Sequence, residues 1–132
     1  MTEKIRIMHV TGSLNIGGVE ELLLLTAKAN QADKYDLAFT SCHSHDGYCS
    51  RQIQELGYKI FGLGTSQRMY DFRIIPKLIS VFRQYRPHIV HCYYKISLPG
   101  RIAAKLAGVP VIICNEVYSI LFLHKHYLLL VK

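Results

Sequence analysis

The chain has 132 residues, half of them apolar, with a formal net charge of +7 and four cysteines. That length makes one domain rather than two and buries about two-thirds of its unfolded surface, so a core forms without metal or disulfide staples. No apolar run approaches the ~20 residues of a membrane span, no dense Lys/Arg run or motif points to nucleic acid, and cysteines without a C-x-x-C pair, behind an N-terminus unlike a signal peptide, read as reduced thiols in the cytoplasm.

The first apolar run, 5–10, predicts a strand. It leads into Gly12-Ser13-Leu14-Asn15-Ile16-Gly17-Gly18-Val19-Glu20, a glycine-rich turn that opens a helix over 19–30. Strand, turn and helix N-terminus together make an anion site, because unpaired N–H groups and the helix dipole face whatever the turn admits. A second strand over 35–41 is followed by Cys42-His43-Ser44-His45-Asp46, with Cys49 beyond. These are zinc-type ligands, but the spacing fits no standard zinc frame, so the segment reads as a solvated loop without metal. A helix over 49–56 and a strand over 59–63 come next. In the helix over 72–85, Ile74, Leu78, Phe82 and Tyr85 share a face with Ile75 and Ile79, bordered by Arg73, Lys77, Arg83 and Arg86, and Pro87 ends it. The strand over 89–93 precedes a helix over 98–107 that stops at Gly108; Pro110 starts the last strand, 111–115. The tail, 118–132, is nearly apolar all round as a helix, a pattern expected of a buried element or an interface.

Val/Ile-rich strands alternating with helix-length stretches imply right-handed βαβ units. The expected fold is therefore α/β: a single doubly wound, Rossmann-like domain with a parallel sheet of about five strands and helices on both faces. For strand order 3-2-1-4-5, ligands sit beyond the carboxyl ends of strands one and four. That crevice is lined by 11–18, including Gly12, Asn15, Gly17 and Gly18, and by 93–100, with 115–117 at the next strand end. A Walker loop is excluded because Val19-Glu20 stands where Lys-Ser/Thr is needed. NAD use is disfavoured because G-x-G-x-x-G is absent and the second strand ends in Thr40-Ser41-Cys42, without a ribose-binding acid. Cys92 and Cys114 read as small buried hydrophobes and His9 as a core histidine, while His91 closes the fourth strand near the crevice.

Three stretches carry a resemblance to the N-terminal domain of family-4 glycosyltransferases, enzymes of the GT-B fold. They are Ile7-Met8-His9-Val10-Thr11-Gly12-Ser13-Leu14-Asn15-Ile16-Gly17-Gly18-Val19-Glu20, then Arg86-Pro87-His88-Ile89-Val90-His91, then Gly100-Arg101-Ile102-Ala103-Ala104-Lys105-Leu106-Ala107-Gly108-Val109-Pro110-Val111-Ile112. The resemblance implies transfer of a sugar from a nucleotide-sugar to a glycan or lipid-linked acceptor, with no bound metal and no cofactor beyond the nucleotide-sugar itself. It implies that Gly17 and Gly18 approach the donor diphosphate or the acceptor, and that Tyr93, Lys95, Asn115 and Glu116 line the acceptor side. It assigns no catalytic residue. Many relatives have histidine where this chain has Tyr93 and Val117, so two hydrogen-bonding or acid–base groups are replaced. Residues 1–132 correspond to the acceptor-side domain alone. The donor-binding domain is absent, and the isolated chain is expected to be inactive.

The alternative is a non-enzymatic module that docks on a donor domain, a second subunit or, peripherally, the inner membrane face; the basic charge and apolar tail motivate it. A free nucleotide-binding α/β domain is the third reading. No nucleic-acid partner is expected.

Overall fold

Short Val/Ile-rich segments cannot bury both faces alone, and right-handed crossovers leave them one arrangement: a parallel sheet with helices on either side. The computed structural model describes residues 2–44, 47–65 and 71–115, and its strands are joined in that way. In chain order they are β1 (Ile5–Ser13), α1 (Gly18–Ala29), β2 (Tyr35–Ser44), α2 (Tyr48–Glu55), β3 (Lys59–Gly62), α3 (Ile74–Tyr85), β4 (Ile89–Tyr93), a 3₁₀ turn (Tyr94–Ile96), α4 (Ser97–Leu106) and β5 (Val111–Asn115). The sheet order is β3-β2-β1-β4-β5, every pair parallel, as the alternation predicted. The apolar tail, Glu116 and Val117 lie outside the described residues, as do His45 and Asp46.

Register assigns each strand residue to a face. Phe39, His9, His91 and Ile113 stand side by side in one row, and Thr40, Val10, Cys92 and Cys114 form the next. Successive side chains point to opposite faces, so these rows belong to two separate cores. On one face Met8, Val10, Ala38, Val90 and Cys92 pack against Leu78 and Phe82 of α3 and Ala103 and Ala104 of α4. On the other, Leu37, Phe39 and Tyr93 pack against Leu23 and Ala27 of α1 and Cys49 and Ile53 of α2. Fully burying a side chain the size of Leu or Phe contributes about 1.5–3 kcal/mol, so these two layers supply most of the driving force.

The strands overrun their apolar cores. β1 continues to Ser13 and β2 to Ser44, and Ser13 still pairs with Ser44 after a register shift beyond Thr11. Cys42 and His43 are therefore strand residues, and Cys42 is fully buried rather than part of a solvated loop. Burial also pushes its thiol pKa up to about 12. Among the described residues no group of His, Cys, Asp or Glu is placed to hold a metal ion. At the end of α3, Arg86 adopts a left-handed conformation (φ 56°), which ends the helix just before Pro87.

Candidate functional site

The strand order reverses between β1 and β4, and in open parallel sheets ligands bind beyond the carboxyl ends of the strands at such a reversal. One wall of that position is the β1–α1 turn. Leu14 anchors it in the core, whereas Asn15, Ile16 and Gly18 are exposed. Its backbone is clasped by α2: the N–H of Ser50 donates to Leu14 O (3.0 Å) and the N–H of Cys49 to Asn15 O (3.3 Å). Two unpaired donors at the start of α2 are thereby satisfied by the turn. The clasp needs Gly47, because a Cβ there would stand 2.6 Å from Leu14 O and from Asn15 Cα. Ser50 closes it, with Oγ accepting from the Gly47 N–H and donating to Gly47 O, both at 2.8 Å.

A carboxylate of the chain itself stands beside the start of α1, although no side chain caps its N–H groups. Glu20 folds back so that a Cβ on Gly17 would collide with its Oε2, and its Oε1 accepts from Ser13 Oγ (3.3 Å). A carboxylate is favoured at a helix N-terminus by about 0.3–1 kcal/mol. It opposes a second anion by more than that, since like charges ~4 Å apart repel by about 1–4 kcal/mol at effective dielectrics of 80 to 20. This wall suits hydroxyl groups, which can donate to Glu20, better than a diphosphate.

The other wall begins at the end of β4. Tyr93 is 3% exposed, and its hydroxyl lies 3.1 Å from His9 Nδ1 and 3.0 Å from His91 Nδ1. The Tyr93 and His91 rings stack at 4.3 Å, and His9 stacks on Phe39 at 5.4 Å. Burial, helped by the charge of His91, pulls the His9 pKa down to about 4. Burial also lowers His91, with Asn115 pulling the other way, and burial followed by Cys92 raises the Tyr93 hydroxyl. All three groups are neutral at pH 7. Tyr94 then takes a left-handed backbone (φ 56°), rare for a tyrosine, and turns the chain so that Ile96 is buried while Lys95 faces out. Among the described residues, the buried His91 Nε2 and Ser97 Oγ have no partner at hydrogen-bond distance.

No family model matches the chain, and no curated protein is similar enough in sequence to count as a relative. Nine solved chains match it in structure. One is a crystal structure of UDP-N-acetylglucosamine 2-epimerase, with a TM-score of 0.57 and 19% identity over 83% of this chain. The fold is GT-B-like. The chain spans 32% of the epimerase's length, so the likeness is to one unit of a longer enzyme. At that identity it shows the architecture alone.

In this GT-B-like frame the expected site residues divide into three groups. Asn15 and Gly18 on the first wall and Lys95 and Asn115 on the second are exposed near the carboxyl edge of the sheet. Gly18 faces open space where a Cβ would stand, and Gly17 lies under Glu20. Gly12 lies within β1 against His43, whose Cδ2 would be 3.1 Å from a Cβ, and Tyr93 turns its hydroxyl inward to the two histidines. Glu116 lies outside the described residues. Sequence reasoning missed the α2 clasp, the back-folded Glu20 and the bridging role of Tyr93. Gly47 three residues before Ser50 was the available sign of the clasp. The equal parity of His91 and Tyr93 in one strand was the sign of the bridge.

Proposed function

We propose that the chain is the acceptor-side half of a glycosyltransferase, moving a sugar from a nucleotide-sugar donor to a glycan or lipid-linked acceptor. The observation that carries this reading is the strand-order reversal between β1 and β4, at whose carboxyl edge stand the glycine turn with Glu20 and, on the other side, Lys95 and Asn115. A carboxylate and an amide beside exposed backbone offer donors and acceptors to hydroxyl groups. The negative charge of Glu20 beside the start of α1 argues that the nucleotide diphosphate is held elsewhere, in a donor half. The similarly folded enzyme is by name an epimerase of a UDP-sugar, which supports the nucleotide-sugar class.

On this reading the isolated 132-residue chain has background rates of sugar transfer from UDP- and GDP-sugars to oligosaccharide acceptors. Calorimetry detects no UDP or GDP binding at micromolar concentrations. Transfer at the rates of two-domain enzymes, or tight nucleotide binding, would overturn it.

The second reading is a non-enzymatic module docking on a donor domain, a second subunit or a membrane face. It is favoured by one observation: Val111 and Ile113 of β5 and Leu22 and Leu25 of α1 are large apolar residues left exposed among the described residues. Salt-sensitive binding to anionic vesicles, or co-purification with a second polypeptide, separates it from the first.

A further inference from the structure

We propose that Tyr93 couples the tautomers of His9 and His91, making the two imidazoles one proton-relaying unit and Tyr93 and His9 positioning residues for His91. The coupling follows from counting donors and acceptors. The Tyr93 hydroxyl lies within hydrogen-bond distance of Nδ1 on both rings, has one proton to give, and is buried. If neither Nδ1 carries a proton, the hydroxyl serves only one and the other is left unpaired. If both carry protons, the hydroxyl hydrogen has no acceptor between them. Either case strands a buried polar group at a cost of about 1–3 kcal/mol. Two arrangements remain, and in each, one histidine bears its proton on Nδ1 and the other on Nε2.

The second end of the unit is His91 Nε2, buried and, among the described residues, without a partner at hydrogen-bond distance, although the Asn115 side chain favours the protonated ring. In one arrangement Nε2 carries a proton and donates; in the other it is bare and accepts. Converting one into the other moves one proton in and one out with no change of net charge. A proton arrives at His9 Nε2, the His9 Nδ1 proton passes to the Tyr93 oxygen, the Tyr93 proton passes to His91 Nδ1, and the His91 Nε2 proton leaves. A group that reaches Nε2 from the side of Asn115, which stands opposite Tyr93 in β5, therefore meets a donor or an acceptor according to the state of His9. The stacked rings of His91 and Tyr93 hold the geometry, and Phe39 backs His9. The coupling does not depend on which ligand the crevice takes, so it stands or falls apart from the proposed function.

Long-range ¹H–¹⁵N spectra of the imidazoles of the full chain at pH 7 test it. The expected result is one of His9 and His91 protonated at Nδ1 and the other at Nε2. Tyr93→Phe keeps the ring and removes the bridge, and the Nδ1–H signal is expected to disappear. Finding both histidines protonated at the same nitrogen in the wild type, or an unchanged pattern in Tyr93→Phe, would overturn the proposal. If Tyr93→Phe does not melt cooperatively, 3-fluorotyrosine placed at 93 strengthens the hydroxyl as a donor with little change in shape. A shift of both Nδ1 resonances supports the coupling, and no shift, or a shift of one alone, refutes it.

Discussion

His9 shows how one residue ties the interior to pH. It stands in the central strand with Phe39 on one side and His91 on the other, and burial holds it neutral down to about pH 4. In the unfolded chain the same imidazole takes up a proton near its ordinary value of about 6.5. Between these two values the unfolded state binds more protons than the folded one, so stability rises with pH across this window. The contribution is fully present above about pH 6.5 and is lost as pH falls towards 4, amounting to roughly 3 kcal/mol. Denaturant melts at pH 7.0, 5.5 and 4.5 are expected to show a steady decline, and His9→Gln is expected to flatten it. A wild-type profile that stays level from pH 7 to 4.5 would contradict a buried, neutral His9. Glu20 makes a related point: an acid in a first helical turn was legible in the sequence, but its folding back over Gly17 is a choice of side-chain conformer that no spacing encodes.

At the scale of elements, Gly and Pro punctuation made the fold legible. Pro87, Gly108 and Pro110 mark the limits of α3, α4 and β5, and the bounds of β4 and β5 agree with those read from residues 89–93 and 111–115. The ends of β1 and β2 were not legible, because pairing between Ser13 and Ser44 extends the ladder past the apolar residues that signal a strand. The inward turn of Tyr93 needed knowledge of which helices cover its face, a matter of crossover handedness rather than composition. The clasp between α2 and the β1–α1 turn was hidden for a similar reason: it joins Gly47 to Leu14 and Asn15, far apart in sequence. It predicts opposite outcomes for two glycines. Gly47→Ala drives a Cβ into backbone atoms at 2.6 Å and is expected to cost about 1–3 kcal/mol, because neither segment shifts cheaply. Gly18→Ala meets open space at a helical position and is expected to add up to about 1 kcal/mol. Thermal melts of the two variants check this; equal effects would mean that the clasp does not hold the turn.

The whole molecule is graded from centre to edge. β1 is paired on both sides and carries Met8 and Val10, both fully buried, whereas β5, among the described residues, pairs with β4 alone and leaves Val111 46% and Ile113 41% exposed. α1 and α2 cover the β1–β2 part of their face, while α3 and α4 lie on the other. The face of β5 that bears Val111 and Ile113 is thus the least covered apolar part of the sheet among the described residues. Local opening free energies follow such differences in burial and pairing, from near zero at frayed edges to the global value in core strands. Hydrogen exchange followed by mass spectrometry is expected to show peptides from β1 exchanging slowest and those from β5 faster by orders of magnitude. Protection in β5 equal to that in β1 would mean that something further covers this face. A concentration series then identifies it: protection that grows with protein concentration indicates a second copy, and protection independent of concentration indicates a segment of the same chain. In either case Val111 and Ile113 would be interface residues, and the docking reading would gain over that of an acceptor half waiting for its donor domain.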